Sequence, residues 1–325
     1  MTASSSKDLS ENALPIIDIQ PLLSGDVSAR VAVGREIRAA CLNLGFMYIL
    51  GHGVDAALRS EVFKQSAAFF AQPSTKKNTI NMKLSPHNRG YEPLGKQTLE
   101  EGSSPDLKEG FYIGEDIPLD DPRLKDSSFN LGPNQWPENM PGFESTMMAY
   151  YENMLSLSES LMRGIALSLR LEEDFFSDFC RDPLTALKLL HYPPQPVNPE
   201  LGQKGCGAHT DFGGITILMQ DDIGGLQVLD KNDKWLCAPP VPDAYVVNLA
   251  DMISRWTNDM YKSTVHRVIN LSGKDRYSVP FFFSGRPAHK VVALDCCLAD
   301  GENPKYPKTT VEEHMREMYR RTYRM

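Results

Sequence analysis

The chain has 325 residues, of which 41% are hydrophobic and 23% charged, with a formal net charge of −8 and a pI near 5.4. That is the make-up of a globular protein with one large domain or two small ones. It offers no basic surplus for nucleic acid or an anionic membrane surface, and no apolar run near the roughly 20 residues that span a bilayer.

In chain order, residues 1–12 read as a disordered polar tail without the apolar core of a secretion signal. Pro15 to Ile19 reads as a short buried strand. Asp26 to Leu44 carries apolar residues at helical spacing (Val27, Val31, Val33, Ile37, Ala40, Cys41, Leu44), and Gly45 stops it. Phe46 to Leu50 is a second strand, and Ala56 to Ala71 a second amphipathic helix. Residues 72–142 are rich in Pro, Gly and Asn, with strand-like pieces at Gly90-Tyr91 and Glu109 to Ile113. Loops this long in a compact domain are usually functional. Gly142 to Leu171 predicts a long helix with Phe143, Met147, Tyr150, Met154, Leu157, Leu161 and Ile165 in register, and Glu172 to Cys180 a short one.

From Leu184 the texture changes. Apolar strands recur between turns at 186–192, 207–210, 214–219, 225–229, 234–238, 243–248, 263–270 and 275–284. Seven or eight short strands at that spacing predict a sandwich or barrel. A helix over Glu312 to Tyr323 closes the chain. The expected organisation is a helical and loop region over 13–180, a β core over 181–300 and a C-terminal segment over 301–325, packed as one unit. The fold class is mainly β with flanking helices. The six cysteines (41, 180, 206, 237, 296, 297) include no Cys-x-x-Cys pair, so free thiols in a reducing, cytoplasmic setting are expected. A monomer is the default.

The candidate chemistry starts at His209-Thr210-Asp211 and His266. Two imidazoles and one carboxylate form the ligand set of the 2-His-1-carboxylate triad, which holds Fe(II) on one face and leaves the other open. On a strand, residues two apart point the same way, so His209 and Asp211 can face one ion. Ordinary hydrogen-bonded histidines are the alternative. His191 and Tyr192 alternate on one strand, and Tyr192 is expected to face inward, because Leu187, Leu189 and His191 share the other face. Arg276 and Ser278, also two apart, present a guanidinium fork and a hydroxyl to one side, a pair suited to a carboxylate. A surface ion pair is the bland alternative for Arg276.

These residues carry a family resemblance. The segments "HTDFGGITILMQDDIGGLQVL" (209–229), "YKSTVHRVIN" (261–270) and "RYSVPFFF" (276–283) resemble the isopenicillin-N-synthase-like family of 2-oxoglutarate/Fe(II)-dependent dioxygenases. So do "PIIDIQPLL", "LGFMYILGHGV" and "NRGYEPLG" nearer the N-terminus. The resemblance implies a double-stranded β-helix, or jelly roll (cupin-like), with an N-terminal helical region. It implies iron on His209, Asp211 and His266, and the distal carboxylate of 2-oxoglutarate on Arg276 and Ser278, with Tyr192 also reaching that cosubstrate. Oxygen would be the second cosubstrate, and ascorbate supportive. The implied reaction couples conversion of 2-oxoglutarate to succinate and CO2 with oxidation, by default hydroxylation, of a substrate C–H bond. Desaturation, ring closure or ring expansion of a secondary metabolite are alternatives, as is an iron oxidase of this fold that does not use 2-oxoglutarate. A non-catalytic jelly-roll binding protein is the remaining reading. One departure is Ala250 in "VNLADMI", where the family more often has Gly.

The layout is similar to that of fungal thymine hydroxylase-like members. It leads to the expectation of a small, planar or ring-containing substrate, with Phe212 and Phe282 packing on it and Asn88 or Lys188 holding its oxygens.

Overall fold

The computed structural model describes residues 14–125, 129–195 and 203–323; the N-terminal tail expected over 1–12 lies outside them. In chain order the elements are β1 (Ile16–Asp18), α1 (Gln20–Ser24), α2 (Val27–Asn43), β2 (Phe46–Leu50), α3 (Ala56–Phe70), α4 (Ser74–Lys77), β3 (Gly90–Glu92), β4 (Glu109–Ile113), α5 (Phe143–Ser168), α6 (Ser177–Cys180), β5 (Leu184–Tyr192), β6 (Cys206–His209), β7 (Ile215–Gln220), β8 (Leu226–Leu229), β9 (Trp235–Cys237), β10 (Tyr245–Leu249), α7 (Asp251–Trp256), β11 (His266–Val268), β12 (Arg276–Gly285), β13 (Lys290–Val291), β14 (Thr309–Thr310) and α8 (Val311–Tyr323).

Local chemistry explains the helix boundaries. Asp26 caps α2 by accepting from the Ala29 N–H, and Asp55 does the same for α3 at Leu58. At α8 the Thr310 hydroxyl accepts from the Glu313 N–H while the Glu313 carboxylate accepts from the Thr310 N–H, a capping box. All seven residues of the stripe predicted for the long helix are buried in α5. Three expectations shorten. Only Ser177–Cys180 of the predicted 172–180 helix forms, after a turn in which the Phe175 N–H donates to the Glu172 carbonyl. The strand expected over 263–270 reduces to β11, because its pairing with β6 slips between His266 and Val268. The strand expected over 207–210 stops at His209, so Asp211 lies beyond it, in the turn to β7.

The strands form two main sheets. Eight run in the order β1-β2-β10-β7-β12-β5-β4-β3, and four in the order β6-β11-β8-β9. Helices α2, α3 and α5 cover the outer face of the large sheet with a continuous apolar core, to which Leu187, Leu189, Phe281 and Phe283 belong. A second, smaller core holds residues of both sheets, among them Leu190, Tyr192, Leu226, Val228 and Val268. This is the jelly-roll arrangement, with the interior between the sheets kept for the site. No helix among the described residues is long and apolar enough to cross a membrane.

Candidate active site

Sheet pairing brings the triad together. His209, the last residue of β6, and His266, the first of β11, are direct partners across an antiparallel ladder, and their rings lie 4.3 Å apart. Asp211 follows two residues later, with Oδ1 3.7 Å from His209 Nε2 and 3.8 Å from His266 Nε2. One ligand atom from each of the three lies within 4.8 Å of the others.

The remaining atoms of these side chains are already bonded. His209 Nδ1 meets the Gly207 carbonyl at 2.8 Å and His266 Nδ1 the Thr264 carbonyl at 3.1 Å, which leaves both Nε2 atoms directed inward. Asp211 Oδ2 accepts from Thr216 Oγ1 (2.6 Å) and Asn248 Nδ2 (2.8 Å), which leaves Oδ1 for the centre. Thr216 and Asn248 were not legible as site residues; the only trace is Thr216 five residues past Asp211 in the same motif. Burial pushes the pKa of both histidines down, that of His266 to about 4. Burial alone would raise Asp211, but His266, His209 and the Asn248 and Thr216 hydrogen bonds outweigh it and hold its pKa below the ordinary value. Neutral imidazoles beside an ionised carboxylate are the protonation state that a divalent metal requires.

Across the same cavity lies Arg276. It opens β12 opposite Tyr192, the last residue of β5. Its guanidinium is fully buried, 4.8 Å above the Tyr192 ring. Nε donates to the Gly224 carbonyl and Nη2 to Gln220 Oε1 at 3.3 Å, while Nη1 has no partner among the described residues. The Gly224-Gly225 turn makes the first contact possible: φ is +79° and +97°, and a Cβ on Gly225 would sit 2.5 Å from the Ile269 carbonyl. Among the described residues no carboxylate lies within ion-pair distance of Arg276. A buried cation with an open donor is a site built for an anion. Ser278, two residues on, lines the same cavity; the alternative of a surface ion pair for Arg276 is excluded by its burial.

The two faces of β5 divide as expected. Lys188 and Tyr192 line the cavity with Phe212 and Phe282, while Leu187 and Leu189 face the helices. Phe281 also points away, edge-on to Tyr151. Lys188 Nζ sits 4.4 Å from the Tyr112 ring centroid and 4.7 Å from that of Phe282. Asn88 is a correction. It does not line the cavity; with φ +56° it turns its Nδ2 onto Asn130 Oδ1 at 2.6 Å. Arg89 donates to the Asn130 carbonyl, so the pair positions Asn130, which does line the cavity. The sequence reading also missed Met315 and Tyr319, one turn apart on α8, which close the cavity from the C-terminal side. Ala250 needs no glycine, because it caps α7 in an extended conformation (φ −112°).

Comparison with known proteins agrees with this geometry. Residues 14–139 match the N-terminal family of non-haem dioxygenases in morphine synthesis, and residues 183–285 the 2OG-Fe(II) oxygenase superfamily. The chain is 44% identical over 320 residues to the 2-oxoglutarate-Fe(II) type oxidoreductase hxnY of Emericella nidulans, covering 97% of this chain and 92% of that one. It is 45% identical over 324 residues to the 2-oxoglutarate-dependent dioxygenase citB of Monascus ruber, covering 96% of each. Among solved structures, a full-length Neurospora crassa protein crystallised in complex with 2-oxoglutarate and thymine superposes with a TM-score of 0.83 at 30% identity, covering 95% of this chain and 97% of that one. The chain therefore belongs to the 2-oxoglutarate/Fe(II)-dependent oxygenase superfamily: it is a dioxygenase that uses Fe(II), 2-oxoglutarate and O2 to oxidise a small molecule.

Proposed function

We propose that His209 Nε2, Asp211 Oδ1 and His266 Nε2 hold the iron, and that Arg276, Ser278 and Tyr192 hold the distal carboxylate of 2-oxoglutarate. The substrate in this reading is a small planar or ring-containing metabolite lying against Phe212 and Phe282, with an oxygen at Lys188, and its C–H bond is hydroxylated. The observation that carries this is the orphaned Arg276 Nη1, buried in the cavity that the three candidate ligands also face. The six free thiols support a reducing compartment such as the cytoplasm.

Bound iron supplies oxygen activation coupled to decarboxylation of 2-oxoglutarate to succinate. The chain's own residues do the positioning. Thr216 and Asn248 fix which Asp211 oxygen faces the centre. Gly207 and Thr264 fix the histidine tautomers. Arg276 and Ser278 anchor the cosubstrate at its far end, and hydrogen bonds to such charged groups contribute about 1.5–3 kcal/mol each. Phe212 and Phe282 exclude water and present a flat apolar wall. Offset packing on such rings adds about 0.5–1.5 kcal/mol beyond area burial.

The test is succinate release with Fe(II), 2-oxoglutarate and ascorbate, in air and under nitrogen. Oxygen-dependent succinate is expected, and its absence would overturn the reading. Mass spectrometry of the product separates hydroxylation, a gain of one oxygen, from desaturation or ring chemistry.

A further inference from the structure

We propose that Lys188 makes this dioxygenase selective for an anionic substrate, an acidic small ring compound whose ionised oxygen (phenolate, enolate or carboxylate) docks on the lysine ammonium inside the cavity. The proposal deepens the function proposed above and rests on it.

The first observation is isolation. Among the described residues, no carboxylate lies within ion-pair distance of Lys188 Nζ and no acceptor within hydrogen-bond distance; its neighbours are the faces of Tyr112 and Phe282. Ring faces stabilise a cation but accept none of its three N–H bonds in the way an oxygen does. The nearest candidate counter-ion, Glu92 on β3, accepts instead from the Tyr112 hydroxyl at 2.6 Å. The ammonium therefore enters the cavity held from two sides, with its donors unused.

The second observation is charge balance. The charged side chains lining the cavity are Lys108, Lys188, Arg276 and Asp211. Lys108 is matched by Asp106 at 2.8 Å. Iron(II), Asp211, Arg276 and doubly negative 2-oxoglutarate together sum to zero. Lys188 is the lining charge with no ion-pair partner among the described residues, with the buried Glu92 carboxylate favouring its charged form from beyond the Tyr112 ring, and an anionic substrate oxygen would give its N–H donors an acceptor.

The groups around Lys188 also set a pH range. Burial lowers its pKa to about 8; Glu92 opposes this, Lys108 adds to it, and Asp211 and Cys206 oppose it. The ammonium is present below that value and lost above it, so anion binding weakens as pH rises through about 8.

The experiment uses the anaerobic protein loaded with Fe(II) and 2-oxoglutarate, so that Arg276 is occupied. Two probe pairs are titrated: 4-nitrophenol against 4-nitroanisole, and benzoate against benzamide. The yellow 4-nitrophenolate reports the ionisation state of the bound probe directly. The expected result is preference for the ionised member, with 4-nitrophenol bound as its anion at a pH where the free probe is largely neutral. Lys188→Met is expected to weaken anion binding about 10- to 100-fold. Lys188→Arg is expected to retain it and to abolish the weakening above pH 8, because a guanidinium stays charged. No preference for the ionised member of either pair, or undiminished anion binding by Lys188→Met, overturns the proposal. These titrations involve no turnover. Loss of oxygen-dependent succinate in the wild type would strike the proposed function, whereas loss of anion preference with succinate release intact would strike this inference alone.

Discussion

The two faces of β5 and its neighbours both carry buried charge, and they treat it in opposite ways. On the helix-facing side, Glu109 receives Lys77 Nζ at 2.7 Å, the Tyr91 hydroxyl at 2.5 Å and His191 Nδ1 at 2.8 Å, while His191 Nε2 meets Asp275 at 2.8 Å. The His191 ring also stacks on Tyr277 at 4.9 Å. Every charge there has a partner. On the cavity side Lys108 is paired with Asp106, but among the described residues the buried Arg276 and the partly buried Lys188 lack carboxylate partners, and Arg276 Nη1 has no acceptor. Folding alone favours the first arrangement, since an unpaired buried charge destabilises the native state. Under the proposed function, bound ligands complete the second.

The sharpest way to break this comparison is to remove one cation from each face. Lys77→Met leaves the Glu109 carboxylate buried beside fewer partners, and losing one half of such a pair costs about 3–5 kcal/mol; urea unfolding should show a loss of that size. Arg276→Met removes a charge with no carboxylate partner among the described residues and two hydrogen bonds to uncharged acceptors, so the unliganded protein should lose less stability than it does with Lys77→Met. Its apparent affinity for 2-oxoglutarate should meanwhile fall about 10- to 100-fold, read as the KM for 2-oxoglutarate at fixed Fe(II). If Arg276→Met destabilises the unliganded protein as much as Lys77→Met does, the distinction between the two faces is wrong.

Partners of the proposed iron ligands come next. Asn248→Ala and Thr216→Val each free Asp211 Oδ2 to rotate toward the centre. A loss of about 10- to 100-fold in iron affinity is expected, measured by titrating succinate release with Fe(II). Unchanged iron affinity would mean that the Asp211 carboxylate is oriented without them.

The smallest effect is a pH dependence on the paired face. Burial lowers the His191 pKa, but Glu109 and Asp275 outweigh it and hold the value above the ordinary one. The sign follows from a raised folded value: the stabilisation is full below the unfolded pKa of about 6.5 and fades as pH rises through the folded one. His191→Gln should flatten that slope in urea titrations as pH rises above the ordinary histidine value. An unchanged slope would assign the pH dependence to another group.

Much of this was legible in the chain. The α5 stripe was readable because a 26-residue helix repeats its apolar spacing many times over. The alternation of Leu187, Lys188, Leu189 and Tyr192 was readable because strand geometry has a period of two. His209, Asp211, His266, Arg276 and Ser278 could be named because their motifs are local. Asn88 went astray for a related reason: adjacency in "NRGY" suggested a cavity residue, but the left-handed backbone at Asn88 directs its amide to Asn130, 42 residues away. Asn248, Met315 and Tyr319 had no local signature at all, and Thr216 only its place five residues past Asp211.

The sequence by itself determined the chemistry available: two imidazoles, a carboxylate and a guanidinium, with strand periodicity fixing the face of Tyr192 and Arg276 but not of Asp211, which lies in the turn after β6. The tertiary structure decided which of those groups remain unpaired. Pairing depends on contacts between distant segments, such as Lys77 reaching Glu109, 32 residues on, while among the described residues no carboxylate pairs with Lys188. That difference, invisible along the chain, separates charges that hold the fold from charges that wait for a ligand.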